Sequence, residues 1–398
     1  MRKPIHGLGV AGAVLLIAGL TVGTAGATSA SPDHSRHAQR VCTATKSATK
    51  ASCSAKVLVN SDDAVPHSTT PPGTGKTPAQ LRSAYKLTGA TSGGRTVAII
   101  DAYGYPNLER DLGIYRSQFG IAACTSANGC LKVLNQTGGT SLPQFNAGWA
   151  GETALDVDAV SAICPDCKIL VVQATSASIA NLGTAAATAA RQSGVVAISN
   201  SYGGGDLSDA TYGAYYNHPG IAVTASTGDS GYQGGSFPAS SAYVTAVGGT
   251  TLTAASNTRG WTETAWTGAG SGCSTVNTAL AAAAGAGTGC SKRAIADVSA
   301  AADPNNGGMS VYYPTSRTAS TWAQVGGTSE SSPIIASVYA LSGNTSGYAN
   351  ATPYAHPTSL FDVTSGSNGS CPTTQWCTAR AGWDGPTGLG TPNGTGAF

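Results

Sequence analysis

The sequence predicts a single doubly wound α/β domain over residues 77–398, built on a mainly parallel sheet flanked by helices. Three observations carry that expectation. From Thr77 onward, apolar β-branched runs alternate with helical stretches, the pattern of right-handed βαβ units. Charge is sparse at 10% of residues, while 53 of the 398 residues are Gly, nearly double the usual share. With 41% hydrophobic residues and a formal charge of +2, a disordered chain is excluded, and so is a Glu- and Lys-rich coiled coil. The 21 basic residues stand against 19 acidic ones with no basic run, so no nucleic-acid partner is expected. A chain with few carboxylate ion pairs also loses little when acid neutralises them, so the composition permits acid stability.

Taken in order, the chain begins with Met1-Arg2-Lys3, an apolar stretch over residues 8–22 and then Ala25-Gly26-Ala27. This is the layout of a secretory signal peptide over residues 1–27. The apolar run is broken by Gly and falls short of the roughly 20 residues that span a bilayer. No later segment qualifies, so a secreted, extracellular chain without a membrane partner is expected. Residues 28–76 are rich in Ser, Thr, Ala, His and Pro and end near Pro71-Pro72-Gly73; they read as a low-complexity linker or short pro-segment. Buried strands are expected at residues 96–100, 169–173, 195–199 and 221–225, each a short apolar run. Helices are expected near 108–118, 151–163, 178–193 and 207–216. A further helix over 329–341 carries Ile334, Ile335, Val338 and Leu341 at helical spacing. The ten Cys fall into local pairs, 42/53, 124/130, 164/167, 273/290 and 371/377, which an oxidising compartment turns into disulfides. Cys164-Pro165-Asp166-Cys167 also has the spacing of a redox or zinc motif, but no second CxxC accompanies it.

Candidate chemistry gathers at three places. Gly326-Gly327-Thr328-Ser329 delivers Ser329 to the start of an apolar helix, where the helix N-terminus favours developing negative charge; an N-cap role is the alternative. A serine nucleophile needs a base. The six His are His6, His34, His37, His67, His218 and His356. One falls in the signal peptide, three in the low-complexity segment and two in Pro-flanked loops. Carboxylates serve better. Glu152 and Asp156 lie four apart on one helix, sharing a face. If buried, they hold one proton between them; the alternative is a solvated acidic face. Asp229, in Ser226-Thr227-Gly228-Asp229-Ser230-Gly231, either caps its own turn or, when protonated, donates to an oxyanion.

These three motifs, in this order, resemble the sedolisin family of serine-carboxyl peptidases. The resemblance implies a subtilisin-like fold with Ser329 as nucleophile, Glu152 as general base, Asp156 as its proton-sharing partner and Asp229 in the oxyanion hole. It also implies an acidic residue behind the triad at Asp101, and a substrate-cleft strand at Asn200-Ser201-Tyr202-Gly203. Toward the C-terminus, Asp362-Val363 and the stretch from Arg380 to Gly390 resemble the family's site for one structural Ca2+. Its ligands would be the carboxylates of Asp362 and Asp384 and the carbonyls of Val363, Arg380 and Gly382, in keeping with the six or more oxygens calcium takes. The family carries a large folded pro-domain, for which residues 28–76 leave no room. Either a short pro-segment suffices or activation differs. The expectation is thus a secreted, monomeric, acid-acting serine-carboxyl endopeptidase of protein or peptide substrates. Two alternatives stand beside it: a neutral subtilisin-like protease using Asp101 and Ser329, and a catalytically silent binding protein on the same scaffold.

Overall fold

The computed structural model describes residues 36–398 apart from Lys46 and Thr345, and the signal peptide expected over residues 1–27 lies outside the described residues. The first elements fall where a linker or pro-segment was expected: β1 (His37–Arg40), β2 (Ser52–Cys53) and β3 (Lys56–Val59). Residues 36–76 are therefore not an extended linker but pack into the domain. The reason is the run Val57-Leu58-Val59, all three buried, which adds a strand where it removes apolar surface from water. Helix α1 (Pro78–Ala84) opens on a capping box, Thr77 and Gln80 each accepting the other's backbone N–H.

The central sheet follows. It begins with β4 (Thr96–Ala102), α2 (Leu108–Gln118), β5 (Leu131–Asn135), α3 (Ala147–Ile163) and β6 (Lys168–Ala174). Next come α4 (Ile179–Ala190), β7 (Val195–Asn200) and the short β8 (Tyr202–Gly203). The helix expected near 207–216 is shorter: α5 (Asp209–Tyr212) gives way to a 3-10 turn at Gly213, a residue that favours leaving a helix. Beyond it lie β9 (Ala222–Ser226), β10 (Thr245–Ala254) and β11 (Trp261–Ala265). Then come a small ladder of β12 (Gly272–Cys273) and β13 (Ala294–Ile295), β14 (Val298–Ala301), β15 (Met309–Pro314), β16 (Ser320–Gly326) and α6 (Thr328–Ser342), and after them the short α7 (Thr352–Ala355) and an antiparallel pair, β17 (Leu360–Phe361) with β18 (Thr391–Pro392).

Eight strands make the main sheet in the order β11-β10-β9-β7-β4-β6-β5, with β14 also on β10; all its pairings are parallel except β10 with β11. Strands buried on both faces need apolar residues throughout, and Val97, Ile99 and Ile100 of β4 have no exposed surface. Helices α3 and α6 are buried on every side, from Trp149 to Ile163 and from Thr328 to Leu341. This is why neither shows an amphipathic stripe. A second sheet, β1-β3-β16-β15, is antiparallel and leads directly into α6. All five expected cysteine pairs are disulfides, the CxxC included, and no free cysteine is found among the described residues. Among those residues no helix is long and apolar enough to cross a membrane.

Candidate active site

Ser329 stands at the second position of α6, just after Gly327, whose φ of 110° is closed to most side chains. A Cβ on Gly327 would stand 2.2 Å from the Ser54 carbonyl oxygen and 2.6 Å from Asp229 Oδ2. Only Gly lets the chain turn here beside both groups. Four residues on, Pro333 interrupts α6. Having no N–H, it leaves the Ser329 carbonyl free of the usual helical bond, and that carbonyl accepts from Ser201 Oγ at 3.3 Å. The Ser329 N–H donates to the Ser54 carbonyl at 3.0 Å, and its hydroxyl donates to the Ser201 carbonyl at 3.2 Å.

Beneath it lies a cluster of carboxyl groups. Glu152 and Asp156 project from one face of α3 and Asp101 stands one residue before the end of β4; all three are fully buried. Asp156 Oδ1 accepts from Ser201 Oγ at 2.8 Å. Its Oδ2, and both oxygens of Glu152 and of Asp101, have no hydrogen-bond partner. Burial pushes the Glu152 carboxyl well above its ordinary value, and neighbouring Asp156 and Asp101 push it further; Ser329, close by, opposes the rise. Asp156 is raised by burial and then by Asp101, against the Ser201 hydroxyl. Burial lifts Asp101 to about 7. Three carboxyls in one dry site cannot all ionise, so the cluster keeps protons well above the ordinary carboxylate range.

Asp229 sits on the other side of Ser329, at the carboxyl end of β9. Its Oδ1 accepts from the Thr328 N–H at 2.8 Å and the Thr328 hydroxyl at 3.0 Å, while Oδ2 is buried and unpartnered. Burial lifts this carboxyl to about 6 against the pull of Lys56 and the Thr328 bonds. Lys56 Nζ donates to the Asp229 carbonyl at 3.0 Å and lies 5.0 Å from the Trp266 ring centre, which fixes the turn.

All four proposed catalytic residues thus meet around Ser329. The sequence left Ser201, Thr328 and Lys56 without roles. The first two lie inside motifs already singled out, and their hydroxyls next to the reactive positions were the available signal. Among the described residues no histidine hydrogen-bonds to Ser329 or Asp101; His218 Nε2 is engaged with the Tyr215 carbonyl at 2.9 Å. The Cys42 and Cys53 sulfurs lie within 4.8 Å of a Glu152 oxygen, but they are bonded to each other and offer no metal ligand.

Of the C-terminal candidates, Asp362, Arg380, Gly382 and Asp384 are joined by hydrogen bonds through backbone N–H groups, while Val363 is buried and no hydrogen bond ties it to them among the described residues. Asp362 Oδ2 accepts from the Gly382 N–H at 2.9 Å, and Asp384 Oδ2 accepts from the Arg380 N–H at 3.1 Å. Asp384 Oδ1 is bonded by Thr387 N–H and Oγ1 at 2.9 and 2.8 Å. Asp384 is fully buried and has no ion pair among the described residues, and burial lifts it to about 7. Two carboxyls brought together without a basic partner fit an oxygen-seeking cation.

No protein-family model matches the chain. Kumamolisin of Bacillus sp. strain MN-32 is 32% identical over 360 residues, covering 81% of this chain and 62% of kumamolisin. Tripeptidyl-peptidase sed1 of Aspergillus fumigatus is 42% identical over 77 residues, 17% of this chain and 12% of its own length. The chain therefore spans less than two thirds of the curated relatives it matches. Among solved structures, a Pseudomonas sedolisin, a serine-carboxyl proteinase complexed with two molecules of pseudo-iodotyrostatin, superimposes with a TM-score of 0.67 at 25% identity. That match covers 81% of this chain and 96% of that one. Sphericase, at 16% identity and a TM-score of 0.51, shares the fold.

Proposed function

This chain is a relative of the sedolisin family of serine-carboxyl peptidases, and from that premise we propose that it is a secreted, acid-acting serine-type endopeptidase. The observation that carries the proposal is the buried carboxyl pair of Glu152 and Asp156 beside Ser329, with no histidine at that position among the described residues. Ser329 Oγ attacks the substrate carbonyl while Glu152 takes its proton. Asp156, held by Ser201, shares a proton with Glu152 and sets its basicity. Charge developing on the carbonyl oxygen meets two donors, the Ser329 N–H and a protonated Asp229 Oδ2. Each such donor is worth about 10²–10³ in rate. Collapse of the tetrahedral adduct expels the amine, which takes the proton from Glu152. Water then hydrolyses the acyl-enzyme by the same route.

The residues also fit a structural metal ion, for which Ca2+ is the proposal. Asp362 and Asp384 would hold it by carboxylates, and Val363, Arg380 and Gly382 by carbonyls. When bound, the ion supplies charge compensation for two carboxylates and a cross-link between their loops.

Hydrolysis of denatured protein between pH 3 and 8 by wild type, Ser329→Ala and Glu152→Gln tests the reading. Cleavage confined to acid and lost in both variants is expected. A neutral optimum that survives Glu152→Gln would overturn the carboxylate base in favour of a subtilisin-like mechanism. Absence of cleavage at every pH by folded, calcium-loaded protein would favour the binding-protein alternative.

A further inference from the structure

The hydrogen bonds around Thr328 each have only one possible direction. The Gly228 N–H donates to Thr328 Oγ1 at 3.0 Å, and a backbone N–H can only donate. That bond occupies a lone pair of the hydroxyl, so the hydroxyl proton is aimed elsewhere. Its other partner among the described residues is Asp229 Oδ1 at 3.0 Å, and the same oxygen accepts the Thr328 N–H at 2.8 Å. Oδ1 thus faces donors on both bonds and has no use for a proton of its own. When the carboxyl is neutral, its proton belongs on Oδ2, which is buried and unpartnered. Oδ2 looks onto a carbonyl: a Cβ built on Gly327 would lie 2.6 Å from Oδ2 and 2.2 Å from the Ser54 carbonyl oxygen. That carbonyl also accepts the Ser329 N–H at 3.0 Å. The segment carrying Ser54 is held there by pairing with Tyr202 and Gly203 on one side and with Val325 and Gly326 on the other. A peptide carbonyl between the Ser329 N–H and Oδ2 marks where negative charge would develop. The turn itself has other supports, since Lys56 Nζ holds the Asp229 carbonyl at 3.0 Å and Arg40 bonds the Ser230 hydroxyl.

We propose that Thr328 is a positioning residue of the oxyanion site: its hydroxyl, oriented by the Gly228 N–H, keeps the Asp229 proton on Oδ2 and aimed at the substrate oxygen. The inference rests on the peptidase reading above. Without the hydroxyl, Oδ1 keeps a single donor and competes for the proton, so the oxyanion loses its second donor for part of the time. The hydroxyl has a second effect, because a donor bonded to a carboxylate favours the charged form. Burial lifts Asp229 to about 6, while Lys56 of β3, the two Thr328 bonds and Arg40 of β1 oppose the rise; from α3, Glu152 also feels the charge of Asp229. Removing the hydroxyl takes away one opposing contribution and leaves the others in place. Rate should therefore fall on the acid side while activity persists to higher pH. A residue that only supported the fold would lower the rate and leave the pH limb where it was.

Hydrolysis of one peptide substrate is measured from pH 3 to 8 for wild type, Thr328→Val and Thr328→Ser, with melting temperatures alongside. Thr328→Val should lower kcat on the acid side by about tenfold, short of the 10²–10³ lost with a whole donor. Its alkaline limb should move up by about one pH unit, the scale of one hydrogen bond to a charged group. Thr328→Ser keeps the hydroxyl and should follow wild type. Added to Asp229→Asn, which has no proton to lose there, Thr328→Val should move no limb. A limb unmoved by Thr328→Val, or moved equally by Thr328→Ser or in the Asp229→Asn background, overturns the inference and spares the peptidase reading. Thr328→Ala replaces a Val variant that does not fold; if neither folds, the hydroxyl holds the structure rather than the proton, and the inference is overturned. Wild type that hydrolyses nothing at any pH overturns the peptidase reading, and this inference with it.

Discussion

Replacing Asp101 by Asn should flatten the dependence of stability on pH. In the folded chain Asp101 is wholly buried, and burial lifts its carboxyl from 3.8 to about 7 against the pull of the nearby Thr153 hydroxyl. Between those values the folded state holds a proton that the unfolded chain has released. Stability from this group is thus complete below about pH 4 and is lost as pH rises toward 7. At 1.36 kcal/mol per unit, the span corresponds to about 4 kcal/mol. Asn has nearly the same shape and no charge to titrate. In a Ser329→Ala background, which prevents digestion, urea unfolding at pH 4, 6 and 8 should show wild-type Asp101 losing stability across the range. The Asn variant should lose distinctly less and exceed it at pH 8. Parallel slopes for the two proteins would refute the account of Asp101 as a buried, proton-holding member of the cluster.

Asp229→Ala should lower kcat by about 10²–10³, the usual loss of one oxyanion donor. Asp229→Asn keeps a donor at every pH, so its kcat/KM profile should extend above the region near pH 6 where the Asp229 carboxyl releases its proton. An Ala variant with unchanged kcat would remove Asp229 from the site. Chelation should lower the melting temperature of wild type and leave that of Asp384→Asn unmoved; an equal response in both counts against the metal site. Gly327→Ala places a Cβ 2.2 Å from the Ser54 carbonyl at a φ of 110°. It should destabilise the chain by roughly 1–3 kcal/mol, and an unchanged urea midpoint would show that the segment does not sit there.

Much of the sheet was readable because its strands are buried on both faces, and continuous apolar runs such as Val97-Ala98-Ile99-Ile100 have no polar rival in that role. The local disulfides followed from spacing. The reactive cluster was readable as residue types at fixed offsets on single elements: Glu152 and Asp156 share a helix face whatever packs above them. What lay hidden depends on contacts between segments far apart in the chain. Ser201 reaches Asp156 and the Ser329 carbonyl from 45 and 128 residues away in the chain, and Pro333 leaves that carbonyl without its helical donor. Residues 36–76 looked like a linker because Ser, Thr and Pro dominate the average. Yet Val57-Leu58-Val59 is a buried strand, and a three-residue apolar run was the only local signal. The place of Ser54 beside Ser329 is fixed by pairing on both sides of the cleft, which no window of sequence encodes.

The low charge of the chain takes on a different meaning once burial is known. Asp101, Glu152, Asp156, Asp158, Asp229, Glu330 and Asp384 are all buried, and burial is the first cause raising each of them. None of these seven carboxyls is in an ion pair among the described residues. An ordinary protein weakens in acid because carboxylates that are paired when folded must take up protons. Here the sign is reversed for the six outside the proposed metal site, since the folded state holds protons there that neutral pH withdraws. The Glu152 and Asp156 pair needs one shared proton to act, and Asp229 needs its own to donate. The conditions that stabilise this interior are therefore the ones its proposed chemistry requires.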